Sequence, residues 1–283
     1  MLPSWVVLDA MLLGWLAEDI GRGDRSTIGL GELAEISGKA HWVAKSEGVI
    51  AGLPLAQRIF YLLDNSVQFT AIAAEGESVM SGAVIAEIDG ALKTLLTGER
   101  VALNLVMRLS GIATMSGRYA KVIEDLPAQL VDTRKTTPGL RIVEKYAAAV
   151  GGAQNHRMGL DDGVMIKDNH IAAAGGIGAA VKQVRARSPY PISVEVETEN
   201  LAQVEDAIAQ GADIIMLDNM SYDLMRTAVK KIRASNRNIK IEASGNVTLE
   251  TIRAVAETGV DYISSSAPIT RSPWLDISMR IQP

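Results

Sequence analysis

The sequence predicts an α/β fold, a β/α barrel of about 140 residues preceded by a small α+β domain. Two observations carry this. From residue 130 onward short apolar runs recur, LVDT, GVMIK, ISVEVE, DIIMLD, IKIEA and DYISS, about every 25 residues and with helical stretches between most of them. Nearly all-apolar strands alternating with helices imply a parallel sheet buried on both faces. Six such units in so short a span suit a barrel better than an open sheet. Second, each run ends in polar chemistry: Thr133-Arg134-Lys135, Lys167-Asp168-Asn169, Glu195 and Glu197, Asp218-Asn219, Glu242 then Ser244-Gly245, and Ser264 to Ser266. In β/α barrels the C-terminal strand ends and the loops beyond them form the active face. Cations on the early strands, carboxylates on the middle ones and Ser/Gly pairs on the late ones are not the mixture that solvated loops would give.

The first hundred residues have a different texture. A helix is expected around residues 8–19, followed by strand-like GKAHWVAKSEGVIAG and a second helix near Pro54–Leu63. VQFTAIAAEGESVMSGAVIAEIDG then gives short β-rich runs broken by Gly76, Gly82 and Gly90. Thr97 is positioned to cap a long helix from Glu99, with Val101, Leu105, Leu109 and Ile112 near helical spacing. Gly111, Ser116 and Gly117 thin its later turns and allow close packing. Thr137-Pro138 reads as an N-cap with proline at the first helical position, and Gly151-Gly152 as the end of that helix. Arg141 and Lys145 are expected on its outer face.

Composition narrows the chemistry. The chain has 283 residues, 48% apolar and 22% charged, with a net charge of −5. No apolar run approaches the ~18 residues of a membrane span, and the acidic balance argues against nucleic acid as the main partner. The N-terminus lacks the basic region of a signal peptide, so a cytoplasmic protein is expected. With no cysteine, disulfides, thiolate nucleophiles and Cys-based metal sites are excluded. His41, His156 and His170 are far apart in sequence, so a hard cation on carboxylates is a better expectation than a transition-metal site.

Against this acidic background, Arg134, Lys135, His156, Arg157 and Lys167 gather in one stretch, which points to a compact polyanion as ligand. Arginine grips a carboxylate with two parallel hydrogen bonds, and lysine suits phosphate as a point charge. His156 could orient a substrate carboxylate or donate a proton, whereas His170, beyond its strand, is expected to be structural. Glu197 and Asp218 end successive strands. They could hold Mg²⁺ through water, grip ribose hydroxyls, or act as a glycosidase-like acid/base pair. The neighbouring cations imply an anionic substrate and favour the metal and sugar roles. Ser244-Gly245-Asn246 and the stretch around Ser266 would offer backbone N–H groups to phosphate.

Residues 132 to 170, DTRKTTPGLRIVEKYAAAVGGAQNHRMGLDDGVMIKDNH, resemble without a gap the signature of the quinolinate phosphoribosyltransferase family. LAEDIGRGDRST, GERVALNLVMRLSGIAT, VEVET, MLDN and EASGN extend the resemblance over essentially the whole chain. It implies an N-terminal α/β sandwich joined to an incomplete, seven-stranded β/α barrel. The corresponding expectation is a first domain over residues 1–108, a barrel over 109–269, and a tail, 270–283, packing back near the first domain. It further implies a homodimer or a multiple of dimers, in which Arg100 enters the partner subunit's site. Arg134, His156, Arg157 and Lys167 would bind quinolinate, with Thr133 beside them. Lys135, Glu197 and Asp218 would carry the chemistry, facing phosphoribosyl pyrophosphate and its Mg²⁺. Ser244, Gly245 and Asn246, with Ser265, Ser266 and Ala267, would hold the 5′-phosphate. The expected reaction is phosphoribosyl transfer to quinolinate with decarboxylation. The chain departs from the family after its last strand, where Ser266-Ala267-Pro268-Ile269-Thr270-Arg271-Ser272 replaces the usual Gly-Ala pair and the Thr-His-Ser that follows.

Overall fold

The computed structural model describes residues 2–235 and 238–282. Met1 and Pro283, the outer ends of the expected first domain and tail, lie outside the described residues. In chain order the elements are α1 (Trp5–Ile20), α2 (Arg25–Gly29), a 3-10 turn (Gly31–Glu35), β1 (Ser37–Ala44), β2 (Gly48–Val49), α3 (Leu53–Leu63), β3 (Gln68–Ala71), β4 (Ser78–Val79) and β5 (Val84–Ala91). Then come α4 (Leu92–Val122), β6 (Gln129–Val131), α5 (Arg141–Val150), β7 (Val164–Ile166), α6 (Asp168–Ala174), α7 (Ile177–Arg185), β8 (Val194–Thr198), α8 (Leu201–Ala209) and β9 (Ile214–Asp218). The chain ends with α9 (Tyr222–Ala234), β10 (Lys240–Ser244), α10 (Ile252–Ala256), β11 (Tyr262–Ser264), α11 (Ala267–Thr270) and β12 (Ile277–Gln282). Two compact units result. One comprises Met1–Gly117, Ile142–Gly151 and Ser272–Pro283, the other Arg118–Arg141 and Gly152–Arg271.

The first unit holds an antiparallel sheet of order β12-β1-β5-β3 and a small β2-β4 pair. Along β1 alternate residues turn inward, so Ala40, Trp42 and Ala44 are buried. Trp42 meets Phe60 of α3 and Phe69 of β3 edge-on, at 6.2 and 5.8 Å between ring centroids. Such pairs add to area burial. Leu8, Leu12 and Leu16, spaced by four, bury one stripe of α1. At the start of α3, Gly52 takes φ 102°. Its N–H and that of Leu53 both donate to the Glu75 carboxylate, at 2.9 Å each, a negative charge on a helix N-terminus.

Helix α4 corrects one expectation. It starts at Leu92, directly after β5, and runs 31 residues, so Thr97 lies inside it rather than capping it. The Thr97 hydroxyl donates instead to Asp24 Oδ2 at 3.2 Å. Gly111 does allow close packing, since a Cβ there would stand 2.0 Å from the Pro273 carbonyl oxygen.

The second unit is an incomplete β/α barrel. Its sheet is parallel, of order β6-β11-β10-β9-β8-β7, and its six strands are the six apolar runs. Among the described residues β7 pairs with β8 alone, and the far side of β6 meets only a bridge from Val131 to Gln154. The seventh strand that the resemblance implies is thus a single bridge. The reason is local. Asp132 accepts hydrogen bonds from the His156 N–H (2.8 Å) and from Asn155 Nδ2 (2.7 Å), so a side chain takes the place of a second strand's backbone.

Helix α5 differs too. Gly139, at φ 81°, breaks the backbone after Pro138, and the helix begins at Arg141. Lys145 and Glu144 are fully buried rather than facing outward. Arg141 donates to Thr136 Oγ1 (3.0 Å), to the Met158 carbonyl (3.2 Å) and to the Arg134 carbonyl (3.4 Å), pinning the loop that carries Arg134. No helix among the described residues is long and apolar enough to cross a membrane.

Candidate active site

Every strand of the second unit delivers polar side chains to its C-terminal end, as a parallel barrel requires. Thr133, Arg134, Lys135, His156, Arg157, Lys167, Glu197, Asp218, Ser244, Gly245 and Asn246 line one cavity of about 500 Å³. Ser265, Ser266 and Ala267 line an adjoining cavity of about 250 Å³, which they share with Thr133, Lys135 and the 244–246 loop. Arg100 belongs to the first unit, where its guanidinium lies 3.8 Å from Glu99 and is largely exposed.

The cations are arranged for an anion. Arg157 is held through Nη1, which donates to the Gly163 carbonyl at 2.8 Å. Burial lowers its pKa, the nearby Arg134 charge lowers it further, and Glu195 opposes both. Two guanidinium groups that repel each other in a buried place gain most from a bound carboxylate. Nε of Arg134 is buried without a hydrogen-bond partner, and such a donor is costly until a ligand accepts from it. Lys167 Nζ is 2.7 Å from Glu197 Oε2, so this lysine is already turned toward the acidic side of the cavity.

That acidic side is built on two strained turns. Asn219 (φ 51°) and Asn246 (φ 49°) are the two non-glycine residues with left-handed backbone among those described, and both line the cavity. The Asn219 N–H donates to the Ser244 carbonyl at 3.0 Å, and its side chain donates to Asp218 Oδ2 at 2.7 Å. Gly245, at φ 106°, passes so close that a Cβ would meet Asn219 Oδ1 at 2.2 Å. Strain concentrated where two strand ends meet the cavity marks positions fixed for a ligand.

His156 is the most constrained side chain. Its Nε2 lies 3.2 Å from Glu195 Oε2 and 3.4 Å from Glu242 Oε2, while Nδ1 accepts the Arg157 N–H at 2.7 Å. Burial works against a charged ring, but Glu195 and Glu242 outweigh it and push the pKa up to about 10. The contact at Nδ1 points the other way, because an imidazolium has no lone pair to offer there. The Nε2 edge of the ring thus faces the two acids, and the Nδ1 edge faces the Arg157 N–H. Burial lifts the Glu195 carboxyl above its ordinary range, against the hydrogen-bonding pull of His156 and with the help of the Glu242 charge. His170 lies outside the cavity lining, and its Nδ1 accepts the Lys167 N–H at 3.0 Å.

Sequence reasoning took Glu195 and Glu242 as strand-end polar residues without giving them a place in the site. A signal was present, since an acid within a doubly buried parallel strand has no water to face. Arg271, which lines the smaller cavity, was noted only as a departure from the family.

Comparisons with known proteins give the family and the fold. The model of the quinolinate phosphoribosyl transferase N-terminal domain matches residues 24–110, and that of the C-terminal domain matches residues 112–280. A probable nicotinate-nucleotide pyrophosphorylase (carboxylating) from Synechocystis sp. is 62% identical over 280 residues, 99% of this chain and 94% of its own length. One from Bacillus subtilis is 47% identical over 97% of this chain and 93% of its own length. The crystal structure of NadC from Streptococcus pyogenes superposes with a TM-score of 0.94 at 41% identity, covering 100% of this chain and 99% of that one. A six-stranded open barrel with its cations and acids on one rim in one unit and an antiparallel sheet in the other, matched by both domain models, means that the chain belongs to the quinolinate phosphoribosyl transferase family.

Proposed function

We propose that the protein is a nicotinate-nucleotide pyrophosphorylase (carboxylating), a pentosyl transferase of de novo NAD biosynthesis. It transfers the phosphoribosyl group of phosphoribosyl pyrophosphate to quinolinate, giving nicotinate mononucleotide, pyrophosphate and CO₂. The observation that carries this is the placement of Arg134, Arg157, Lys167, Lys135, Glu197 and Asp218 around one cavity.

Quinolinate carries two adjacent carboxylates, which suit the paired guanidinium groups and Lys167. Its pyridine nitrogen is itself the nucleophile, so no strong general base is needed. The bond from that nitrogen to C1 of the ribose forms as the bond from C1 to the pyrophosphate oxygen breaks. Lys135 offsets charge on the leaving group, and Glu197 and Asp218 face the positive charge that develops on the ribose. The N-ribosylated ring is cationic. It releases its 2-carboxylate as CO₂, and C2 takes up a proton. Catalysis is mostly positioning and electrostatics.

The donor set fits Mg²⁺, since Asp218 and Glu197 are hard oxygen ligands on neighbouring strands lining the same cavity. These two residues would hold the ion, directly or through water, and Asp218 more so because Lys167 already engages Glu197. When bound, the ion would neutralise charge on the departing pyrophosphate. Ser244 to Asn246 and Ser265 to Ala267 would hold the 5′-phosphate, with Arg271 beside them. The cytoplasm is the compartment this reading assigns.

Purified protein supplied with quinolinate, phosphoribosyl pyrophosphate and Mg²⁺ should yield nicotinate mononucleotide and CO₂ in equal amounts. Nicotinate lacks the 2-carboxylate, and one lost charge-assisted hydrogen bond costs about 1.5–3 kcal/mol. Its kcat/KM should therefore be lower by roughly tenfold to a hundredfold or more. Equal turnover of the two acids would overturn the assignment of the cation cluster.

We extend the reading to a dimer in which Arg100 serves the partner subunit's site. Inactive Arg100→Ala mixed with inactive Lys135→Ala should then regain up to about a quarter of wild-type activity once subunits exchange. Random mixing makes half the dimers mixed, and each has one intact site of two. No recovery, with mixed dimers seen by native mass spectrometry, would remove Arg100 from the partner's site.

A further inference from the structure

We propose that Arg271 is a substrate-binding residue that, with Lys135, grips the 5′-phosphate of the phosphoribosyl donor by charge, against a wall whose backbone N–H groups are mostly spent. The proposal rests on the reading of the two cavities as the site of phosphoribosyl transfer.

Arg271 lies in the stretch where the chain departs from its family, Ser266 to Ser272. The sequence suggests a cradle of backbone donors there, and the hydrogen bonds leave little of one. The Ser265 N–H donates to the Val131 carbonyl at 3.1 Å, and the Ala267 N–H to Ser265 Oγ at 3.3 Å. Pro268 has no N–H to give. The N–H groups of Ile269, Thr270 and Arg271 turn back to the Ser266 and Ala267 carbonyls. Among the described residues, only Ser266 in the stretch 265–271 keeps an N–H without an acceptor. Helix α11 has four residues, so its dipole adds little. Attraction for an anion has to come from side chains.

The cavity beside this wall, about 250 Å³, supplies two cations, Lys135 and Arg271, and is otherwise lined by uncharged residues, six of them with hydroxyl groups. Among the described residues no carboxylate lines it, whereas Glu197 and Asp218 line the larger cavity. A pyrophosphate carried by Mg²⁺ therefore finds hard oxygen ligands in the larger cavity and none in the smaller. A bare phosphate monoester suits the smaller one, where a guanidinium can meet two of its oxygens at once. Lys135 lines both cavities and Arg271 only the smaller, so Arg271 reports on the 5′-phosphate separately.

The arginine is available for this. Burial raises the Tyr119 pKa, the Glu250 charge adds to that and the Arg271 charge opposes it, so both charges reach the same hydroxyl. Yet among the described residues Arg271 makes no ion pair with Glu250 or any other acid. Its side chain is exposed, and its replacement should leave the fold intact.

Calorimetry with two probes, ribose 5-phosphate and pyrophosphate with Mg²⁺, tests the assignment, alongside the KM for phosphoribosyl pyrophosphate. Arg271→Gln should weaken ribose 5-phosphate and raise that KM by about tenfold each. Quinolinate and pyrophosphate should bind as to wild type, and Arg271→Lys should recover most of the loss. Arg271→His should match wild type below about pH 6, where the imidazole is charged, and match Arg271→Gln above about pH 8, each compared with wild type at the same pH. Unchanged ribose 5-phosphate affinity and KM in Arg271→Gln, or an equal loss of pyrophosphate, overturns the proposal. If ribose 5-phosphate binding depends on Arg271 but wild-type protein makes no nicotinate mononucleotide, the phosphate site stands and the functional reading fails. If Arg271→Gln turns over with the wild-type KM, the functional reading stands and the phosphate site fails.

Discussion

Replacing Arg157 with alanine is expected to weaken quinolinate binding by about thirtyfold or more while leaving the fold intact. Truncating one partner of a buried, hydrogen-bonded charge pair costs about 2–5 kcal/mol. Arg157 is half-buried, as Arg134 is, and it is anchored both at its backbone N–H and at its tip. Its loss would also relieve Arg134 of a like charge, so thermal stability should not fall. Calorimetric titration with quinolinate, beside a melting curve, reads both. An affinity within threefold of wild type in a folded variant would mean that the carboxylates are gripped elsewhere.

The second large effect is on stability and lies away from the cavity. In the first unit Glu144 of α5 is fully buried, and Arg108 of α4 donates to its Oε1 from Nη2 at 2.7 Å and from Nε at 3.1 Å. The same guanidinium reaches Ser272 Oγ at 3.0 Å, so one ion pair ties three separate chain segments. Glu144→Ala would take this carboxylate from a guanidinium whose side chain is only 15% exposed, at a cost of roughly 3 kcal/mol or more. At about 2–4 °C per kcal/mol for a chain of this size, Tm should drop on the order of 10 °C by scanning calorimetry. A drop under 2 °C would show that water or a neighbour takes over the charge.

Much of the barrel was legible because its strands obey two constraints at once. Each is apolar through its length and polar where it stops, and DIIMLD or ISVEVE satisfies no other element as well. The start of α4 was hidden for a specific reason. Thr97 has the chemistry of a cap, and only the fold shows its hydroxyl spent on Asp24, 73 residues away. Lys145 sits in a helix that looks amphipathic, yet no local rule says that its charged pair 144–145 faces inward. The site shows the same division. Arg134, Lys135, Lys167, Glu197 and Asp218 announce themselves by ending strands. Glu195 and Glu242 read as strand-end residues too, but their contact with His156 depends on a segment brought in by one bridge, Val131 to Gln154.

The order β12-β1-β5-β3 has a consequence for how the chain is made. Strand β1 ends at residue 44, and its neighbour on one side, β12, begins at residue 277. On the ribosome, the amino-terminal sheet waits with an unpaired edge while the whole barrel emerges and can fold between its two halves. An unpaired edge recruits other strands, and the long closure makes the final pairing slow. The last strand therefore works as a latch, and trimming it would expose newly made chains to aggregation before it touched catalysis.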